Sequence, residues 1–94
     1  MKYIDWDEKK NEQLKQEREI SFEDMLNAIE EGNLFDILEY PNKNRYSNQM
    51  IFIVNISDFA YLAPFVEDEE KIFLKTIIPS RKATKQYIIE RRGK

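Results

Sequence analysis

The sequence contains no cysteine and no histidine, and only two of its 94 residues are glycine. Without cysteine the chain has no disulfide, no thiolate nucleophile and no zinc site of the Cys/His type. Without histidine it lacks the side chain that most often acts as an acid or base near neutral pH. The two isolated glycines, Gly32 and Gly93, exclude a glycine-rich phosphate-binding loop. Any chemistry therefore depends on carboxylates, lysine, arginine, tyrosine, serine or a bound ion.

Long hydrophobic runs are absent as well. No apolar stretch approaches the roughly 18 residues needed to span a bilayer, and the charged residues 1–16 contain no apolar signal region. We therefore expect a cytoplasmic protein with no membrane association. A chain of 94 residues predicts a single domain with one modest core. A hydrophobic content of 41%, with one Trp, five Tyr and six Phe, is sufficient for that core.

Charges of the two signs are unevenly distributed along the chain. The formal net charge of the whole chain is −3, which by itself argues against a nucleic-acid partner. Residues 1–70, however, carry 7 basic and 17 acidic side chains, a net charge of −10, whereas residues 71–94 carry 8 basic and 1 acidic side chain, a net charge of +7. Such asymmetry is typical of a segment that binds a polyanion, and also of a basic terminal helix that is simply solvated.

Apolar periodicity and turn residues predict elements in the order β-α-α-β-β-β-β-α. The fold class is therefore α+β: one curved antiparallel sheet of about four main strands, two N-terminal helices and one C-terminal helix. The continuous apolar run 50–54 predicts a central strand, and Pro64 indicates an edge position or a bulge because it cannot donate to a ladder. The predicted bounds are a short edge strand 3–6, helices 7–18 and 22–31, strands 34–40, 49–56, 60–66 and 71–78, and a final helix 81–90.

Acidic residues offer few signs of a catalytic or metal site. Asp5 and Asp7 flank Trp6, and four consecutive acids occupy positions 67–70. The acidic run lacks the glycine and the spacing of a calcium-binding loop. Its position between two predicted strands indicates a solvated hairpin turn instead.

Basic residues form a stronger candidate site near the C-terminus. Lys75 lies on the last predicted strand, Arg81, Lys82 and Lys85 lie at the start of the final helix, and Tyr87 follows one turn further on. Together they suit RNA, because cations neutralise phosphates and an exposed aromatic ring stacks on an unpaired base. The alternative interpretation places Tyr87 in the core and leaves the cations solvated or paired with acids of the first helix.

Two motifs carry a resemblance to a known family. A Trp-Asp pair at 6–7 precedes a lysine-containing helix and a Ser-Phe-Glu cap at 21–23, and the Trp and the Phe are sixteen positions apart. At 78–84 the sequence reads Ile-Pro-Ser-Arg-Lys-Ala-Thr. In both motifs the chain resembles the BrnT-type toxins of bacterial type II toxin-antitoxin systems, which belong to the RelE-like group of small ribonucleases. The resemblance extends over about residues 3–90.

The resemblance implies a RelE-like fold and a metal-independent endoribonuclease that cleaves mRNA, free or on the ribosome, without a cofactor. It also implies a cognate antitoxin, usually of the ribbon-helix-helix type, through which alone the toxin contacts DNA. On this basis the candidate catalytic residues are Arg81, Lys82, Lys75 and Arg18, and the candidate RNA-binding residues are Lys85, Tyr87 and Arg45.

The chain departs from the family pattern at two places. The family usually has a Lys-His-Gly turn between its first two helices, whereas residues 17–19 here are Glu-Arg-Glu, so Arg18 stands where histidine is typical. The strand before the second motif is usually richer in arginine and here holds Lys75 and Thr76. These departures support an alternative: a catalytically weak or inactive member that acts as a protein-interaction module in an antitoxin-DNA repressor complex. A structural or regulatory domain unrelated to RNA is the third hypothesis.

Overall fold

The computed structural model of the protein describes residues 2–39 and 49–90, which form three helices and one mixed sheet. The predicted α+β class and element order are confirmed, apart from a split in the last strand. The strands are β1 (Tyr3–Asp5), β2 (Leu34–Glu39), β3 (Gln49–Ile56), β4 (Phe59–Glu67), β5 (Lys71–Leu74) and β6 (Ile78–Pro79). The helices are α1 (Glu8–Arg18), α2 (Phe22–Glu30) and α3 (Arg81–Thr84), and α3 continues as a π-helical turn over Lys85–Ile89. We call residues 81–89 the final helix.

The strands lie side by side in the order β1-β5-β4-β3-β2, with β6 also paired to β4. All neighbours are antiparallel except β1 and β5, which run parallel with Tyr3 opposite Lys71. The prediction of a wholly antiparallel sheet was therefore wrong, and the sheet is mixed. A three-residue strand has too little pattern to reveal its direction, and β1 has no neighbour in sequence with which a hairpin would make it antiparallel.

The last predicted strand, 71–78, is interrupted by a bulge. Leu74 lies opposite Phe65 and Ile78 lies opposite Leu62, so four steps along this strand match three steps along β4. One extra residue is therefore accommodated within 75–77, and the strand divides into β5 and β6.

The bulge explains how a proline is tolerated inside the sheet. Pro64 was predicted at an edge or a bulge, but β4 is the middle strand of the sheet, so the edge position was wrong. The carbonyl of Pro64 accepts a hydrogen bond from the Lys75 N–H at 2.8 Å. Because the N and C=O of one strand residue point to the same side, the missing N–H of Pro64 faces the interrupted partner strand, where the ladder is already disturbed.

Helices cover the two faces of the sheet and enclose two hydrophobic clusters. On one face α1 and α2 pack onto β3, β4 and β5, and Phe22 and Met25 are fully buried there. Burial of each such side chain stabilises the fold by about 1.5–3 kcal/mol. On the other face the final helix packs through Ala83 and Ile88 against the smaller cluster that contains Ala60.

The N-terminal layer is held by helix caps and by a small number of buried contacts. The Asp7 side chain caps α1, and a full capping box joins Ser21 and Asp24 at the start of α2. As predicted, α1 has a thin buried face, with Leu14 and Asn11 as its only buried residues. No helix within residues 2–39 and 49–90 has the length and apolar character needed to cross a membrane.

Candidate nucleic-acid interface

The start of the final helix is anchored to β4 by a backbone N–H and a hydroxyl group. The Ser80 N–H donates to the carbonyl of Ala60 at 3.0 Å, and the Ser80 Oγ caps the helix by accepting from the Ala83 N–H at 3.0 Å. Thr84 is buried, and its Oγ1 accepts the Ala60 N–H at 2.8 Å while donating to the Ser80 carbonyl at 2.7 Å. These four bonds fix the direction in which the first helical turn projects its side chains.

That first turn presents exposed cations. Arg81 and Lys82 are exposed, and so is Lys85 at the beginning of the π-helical turn. Within the described residues none of the three forms an ion pair. The alternative in which they pair with acids of the first helix does not hold, because the final helix and α1 lie on opposite faces of the sheet. Their charge is therefore directed to solvent.

The other two predicted catalytic residues lie near the bulge. Lys75 is exposed at the residue after β5, and the Arg18 guanidinium donates a hydrogen bond to the carbonyl of Ile77. The Lys75 N–H donates to the Pro64 carbonyl, and the Ser80 N–H donates to the Ala60 carbonyl. These two acceptors are four positions apart on β4, a distance of about 13 Å.

The backbone attachments of Lys75 and of the start of the final helix are therefore spread along β4 and do not meet at one point. We call this line of cations, Lys75, Arg81 and Lys82, the basic edge. An edge of that length can contact several phosphates along a strand, which favours substrate positioning over concerted action on a single atom. Arg18 contributes to the edge by holding the bulged backbone through Ile77.

Tyr87 and Arg45 are the remaining candidate RNA-binding residues. The ring of Tyr87 stacks on Phe35 with centroids 5.4 Å apart, and its hydroxyl donates to the Asp36 carboxylate at 3.1 Å. Tyr87 is half-buried and belongs to the cluster beneath the final helix, so the structure favours the packing interpretation for this residue. Arg45 lies outside the described residues.

Two residues on β5 were missed as site candidates. The Lys71 ammonium lies 5.7 Å from the centre of the Phe73 ring and 3.5 Å from the Asp5 carboxylate. Strand alternation places Lys71, Phe73 and Lys75 on one face, opposite to the buried Leu74 and therefore on the side of the final helix. The alternating Lys-x-Phe-x-Lys pattern was the available signal in the sequence.

The acidic run forms the turn between β4 and β5, as predicted. The Asp68 carboxylate accepts the N–H groups of Glu70 and Lys71, both at 2.8 Å, and these bonds lower the pKa of Asp68 below its ordinary value. Within residues 2–39 and 49–90 no group of three carboxylates is arranged to hold a metal ion. The turn is thus a structural feature that borders the basic residues of β5.

The two faces of the sheet differ in charge. Residues 8–30, which form the α1 and α2 layer, hold seven acidic and four basic side chains. The opposite face carries the half-buried Lys71, which is paired with Asp5, the exposed Lys75, and the exposed cations of the final helix. A polyanion is therefore attracted to the side of the final helix and repelled from the side of α1 and α2.

Comparison of the chain with protein-family models, with curated proteins and with solved structures found no match. The resemblance to the BrnT-type toxins therefore rests on the two motifs. The structure gives each of them a physical role. Trp6 and Phe22 of the first motif stack with ring centres 5.5 Å apart, which joins β1 to α2. Ser80 and Thr84 of the second motif anchor the final helix.

Proposed function

We propose that the protein is the toxin of a bacterial type II toxin-antitoxin system, a cytoplasmic, metal-independent endoribonuclease that cleaves mRNA. The observation that supports this most directly is the basic edge: Ser80 and Thr84 fix the helical turn that carries Arg81 and Lys82, and a backbone bond to Pro64 fixes Lys75. The two sequence motifs agree with it. A cognate antitoxin would neutralise the toxin by covering this edge with an acidic or apolar segment.

The proposed reaction uses the 2′-hydroxyl of the substrate. The 2′-oxygen attacks the adjacent phosphorus, the bond to the 5′-oxygen breaks, and the proton lost from the 2′-hydroxyl is balanced by a proton gained at the 5′-oxygen. Arg81 and Lys82 stabilise the charge that develops on the phosphoryl oxygens, and Lys75 positions the neighbouring phosphate. With no histidine to move protons, most of the rate enhancement comes from positioning and charge stabilisation.

Expression in bacteria tests the proposal. We expect the wild-type chain to arrest growth and the double variant Arg81→Ala/Lys82→Ala to relieve the arrest. The matched control is Lys9→Ala/Lys10→Ala on α1, which removes two cations from the opposite face. Purified protein should cleave unstructured RNA in the presence of EDTA. Growth without arrest, together with intact RNA, would contradict the proposed activity.

A second candidate function is a protein-interaction module within an antitoxin-DNA repressor complex. It is favoured by the spread of the predicted catalytic residues along about 13 Å and by the engagement of Arg18 with the Ile77 carbonyl. In this case the basic edge binds the antitoxin, and DNA is contacted only by the antitoxin. Tight antitoxin binding without growth arrest is the result that distinguishes it from the nuclease.

A further inference from the structure

A row of three side chains, on β5 and the residue that follows it, combines charge with an aromatic ring. Lys71, Phe73 and Lys75 share one face of the strand at two-residue spacing, so neighbours are about 7 Å apart along it. Lys75 is exposed and Phe73 is partly exposed. Phe73 is absent from both hydrophobic clusters, although it is a large aromatic residue in a sheet. Its ring therefore lies outside the two clusters that form the core.

A second ring lies on the neighbouring strand. Tyr3 on β1 is opposite Lys71 and is 56% exposed, so it also contributes to neither cluster. Residues opposite each other in paired strands share a face, and Tyr3 is thus a diagonal neighbour of Phe73. The Lys71 ammonium lies over the Phe73 ring, 5.7 Å from its centre, and is paired with the Asp5 carboxylate at 3.5 Å. We call the surface formed by Tyr3, Phe73 and this ammonium group the aromatic platform.

The chemistry of this platform fits unpaired nucleotide bases. Every base has a face that stacks on an aromatic ring, and lysines beside the ring can contact the phosphates that link successive bases. Bases in a duplex are already stacked on one another and are unavailable to such a surface. The platform therefore discriminates between single-stranded and double-stranded RNA, which a line of cations alone does not.

The charges at the two ends of β5 determine the path of an RNA strand across the platform. The acidic residues 68–70 immediately precede Lys71 and repel phosphates at that end of β5. At the other end β5 leads to Lys75 and, beyond the bulge, to Arg81. A bound strand is therefore guided from Phe73 towards the basic edge and not past the acidic turn.

We propose that Tyr3 and Phe73 form a base-stacking subsite for single-stranded RNA and that Lys75 connects it to the basic edge. This inference rests on the proposed function and adds to it a second binding region outside the two motifs. The subsite selects unpaired RNA, while the basic edge supplies the contacts with phosphates.

Binding of a non-cleavable RNA tests the subsite. The probe is a fluorescent 2′-O-methyl RNA of about 12 unstructured nucleotides, compared with a duplex of the same sequence and with an abasic strand of the same length. We expect Tyr3→Leu/Phe73→Leu to weaken binding of the single strand about tenfold, because two stacking contacts are lost. Binding of the duplex and the abasic strand should be unchanged.

Matched variants separate stacking from charge and from folding. Phe59→Leu removes a partly exposed aromatic residue of β4 and should leave RNA binding unchanged. Phe73→Tyr retains an aromatic ring and should bind RNA like the wild type. A loss seen only in the leucine variant is then due to removal of the ring. Lys75→Gln should weaken binding to all three probes and reduce the dependence on salt.

Each outcome has a defined meaning. If Tyr3→Leu/Phe73→Leu binds the single strand as tightly as the wild type while Arg81→Ala does not, the subsite is wrong and the proposed function stands. If the double leucine variant loses antitoxin binding but not RNA binding, the platform is a protein-docking surface and the inference is overturned. If the wild type binds none of the probes, both proposals fail.

Discussion

The guanidinium of Arg18 donates a hydrogen bond to the carbonyl of Ile77 and thereby joins the end of α1 to the bulge between β5 and β6. Arg18 occupies the position where the resembling family typically has histidine. In this chain the side chain holds backbone in place. Lys75 lies two residues before Ile77, so the position of the basic edge depends on a residue from the acidic N-terminal layer.

Replacement of Arg18 tests this structural role. We expect Arg18→Ala to lower the free energy of unfolding by about 1–2 kcal/mol, because a charge-assisted bond to a carbonyl is lost. Urea denaturation measures the change. Lys15→Ala, in the same last turn, should change stability by less than about 0.5 kcal/mol. Equal stability of Arg18→Ala and the wild type would show that the bond contributes nothing to folding.

The residue after Arg18 predicts a stabilising substitution. Glu19 has a left-handed conformation, with φ of 55°, which is unfavourable for a side chain with a Cβ atom. Glu19→Gly should raise the free energy of unfolding by up to about 1 kcal/mol, since relief of strain exceeds the added entropy of the unfolded chain. In contrast, Glu17→Gly in the interior of α1 should lower it by about 1 kcal/mol. Thermal denaturation compares the two, and a loss of stability in both would refute the argument.

The buried hydroxyl of Thr84 predicts a larger loss. Thr84→Val preserves the shape of the side chain but leaves the Ala60 N–H without its acceptor, and we expect a loss of about 1–3 kcal/mol. Thr76→Val, the same replacement at the only other threonine, is the matched control. Hydrogen exchange of the Ala60 amide should accelerate in the Thr84 variant alone. An unchanged exchange rate would mean that the hydroxyl does not anchor the final helix.

The interaction between Asn11 and Glu23 predicts a pH dependence of stability. The buried Asn11 amide donates to the Glu23 carboxylate at 2.7 Å, and this bond lowers the pKa of Glu23 below its ordinary value of 4.5. A pKa that is lower in the folded state stabilises the fold above the unfolded-state pKa, and this contribution is lost as the pH falls through the folded-state value.

Urea denaturation between about pH 7 and pH 3 measures this contribution. The variant Glu23→Gln cannot lose a proton, so its stability should fall less steeply with acidification than that of the wild type. The control Glu30→Gln, on the same helix, should retain the wild-type slope. Identical slopes for the three proteins would show that the Asn11 bond does not shift the titration of Glu23.

Local sequence signals predicted the individual elements well. The third strand was predicted as 49–56 and observed as Gln49–Ile56, and the second helix, predicted as 22–31, is observed as Phe22–Glu30. Both have strong apolar periodicity, and the helix has a capping box at its start. The parallel direction of β1 and the bulge after β5 were not predicted, because each depends on which distant strand lies alongside.

The candidate site was predicted in part for a similar reason. Residue type identified Arg81 and Lys82 as exposed cations, and the N-cap at Ser80 located them on a helix. The sequence did not decide whether the Tyr87 ring is exposed or packed in the core. The ring stacks on Phe35, a residue far away in sequence, and such a contact has no local signal. The partial exposure of Phe73 was not predicted, because the two-residue alternation of a strand shows which residues share a face but not whether that face is covered.

The parallel pairing of β1 with β5 has a consequence for biosynthesis. Tyr3 pairs with Lys71, and Ala60 is bonded to Thr84, so both contacts wait for residues translated late. Contacts between such distant positions form only after the intervening chain has left the ribosome. The sheet therefore cannot be completed before β5 and β6 have emerged, and the final helix cannot be anchored before Thr84 has emerged. The line of cations is thus assembled only after the acidic layer of α1 and α2 has left the ribosome.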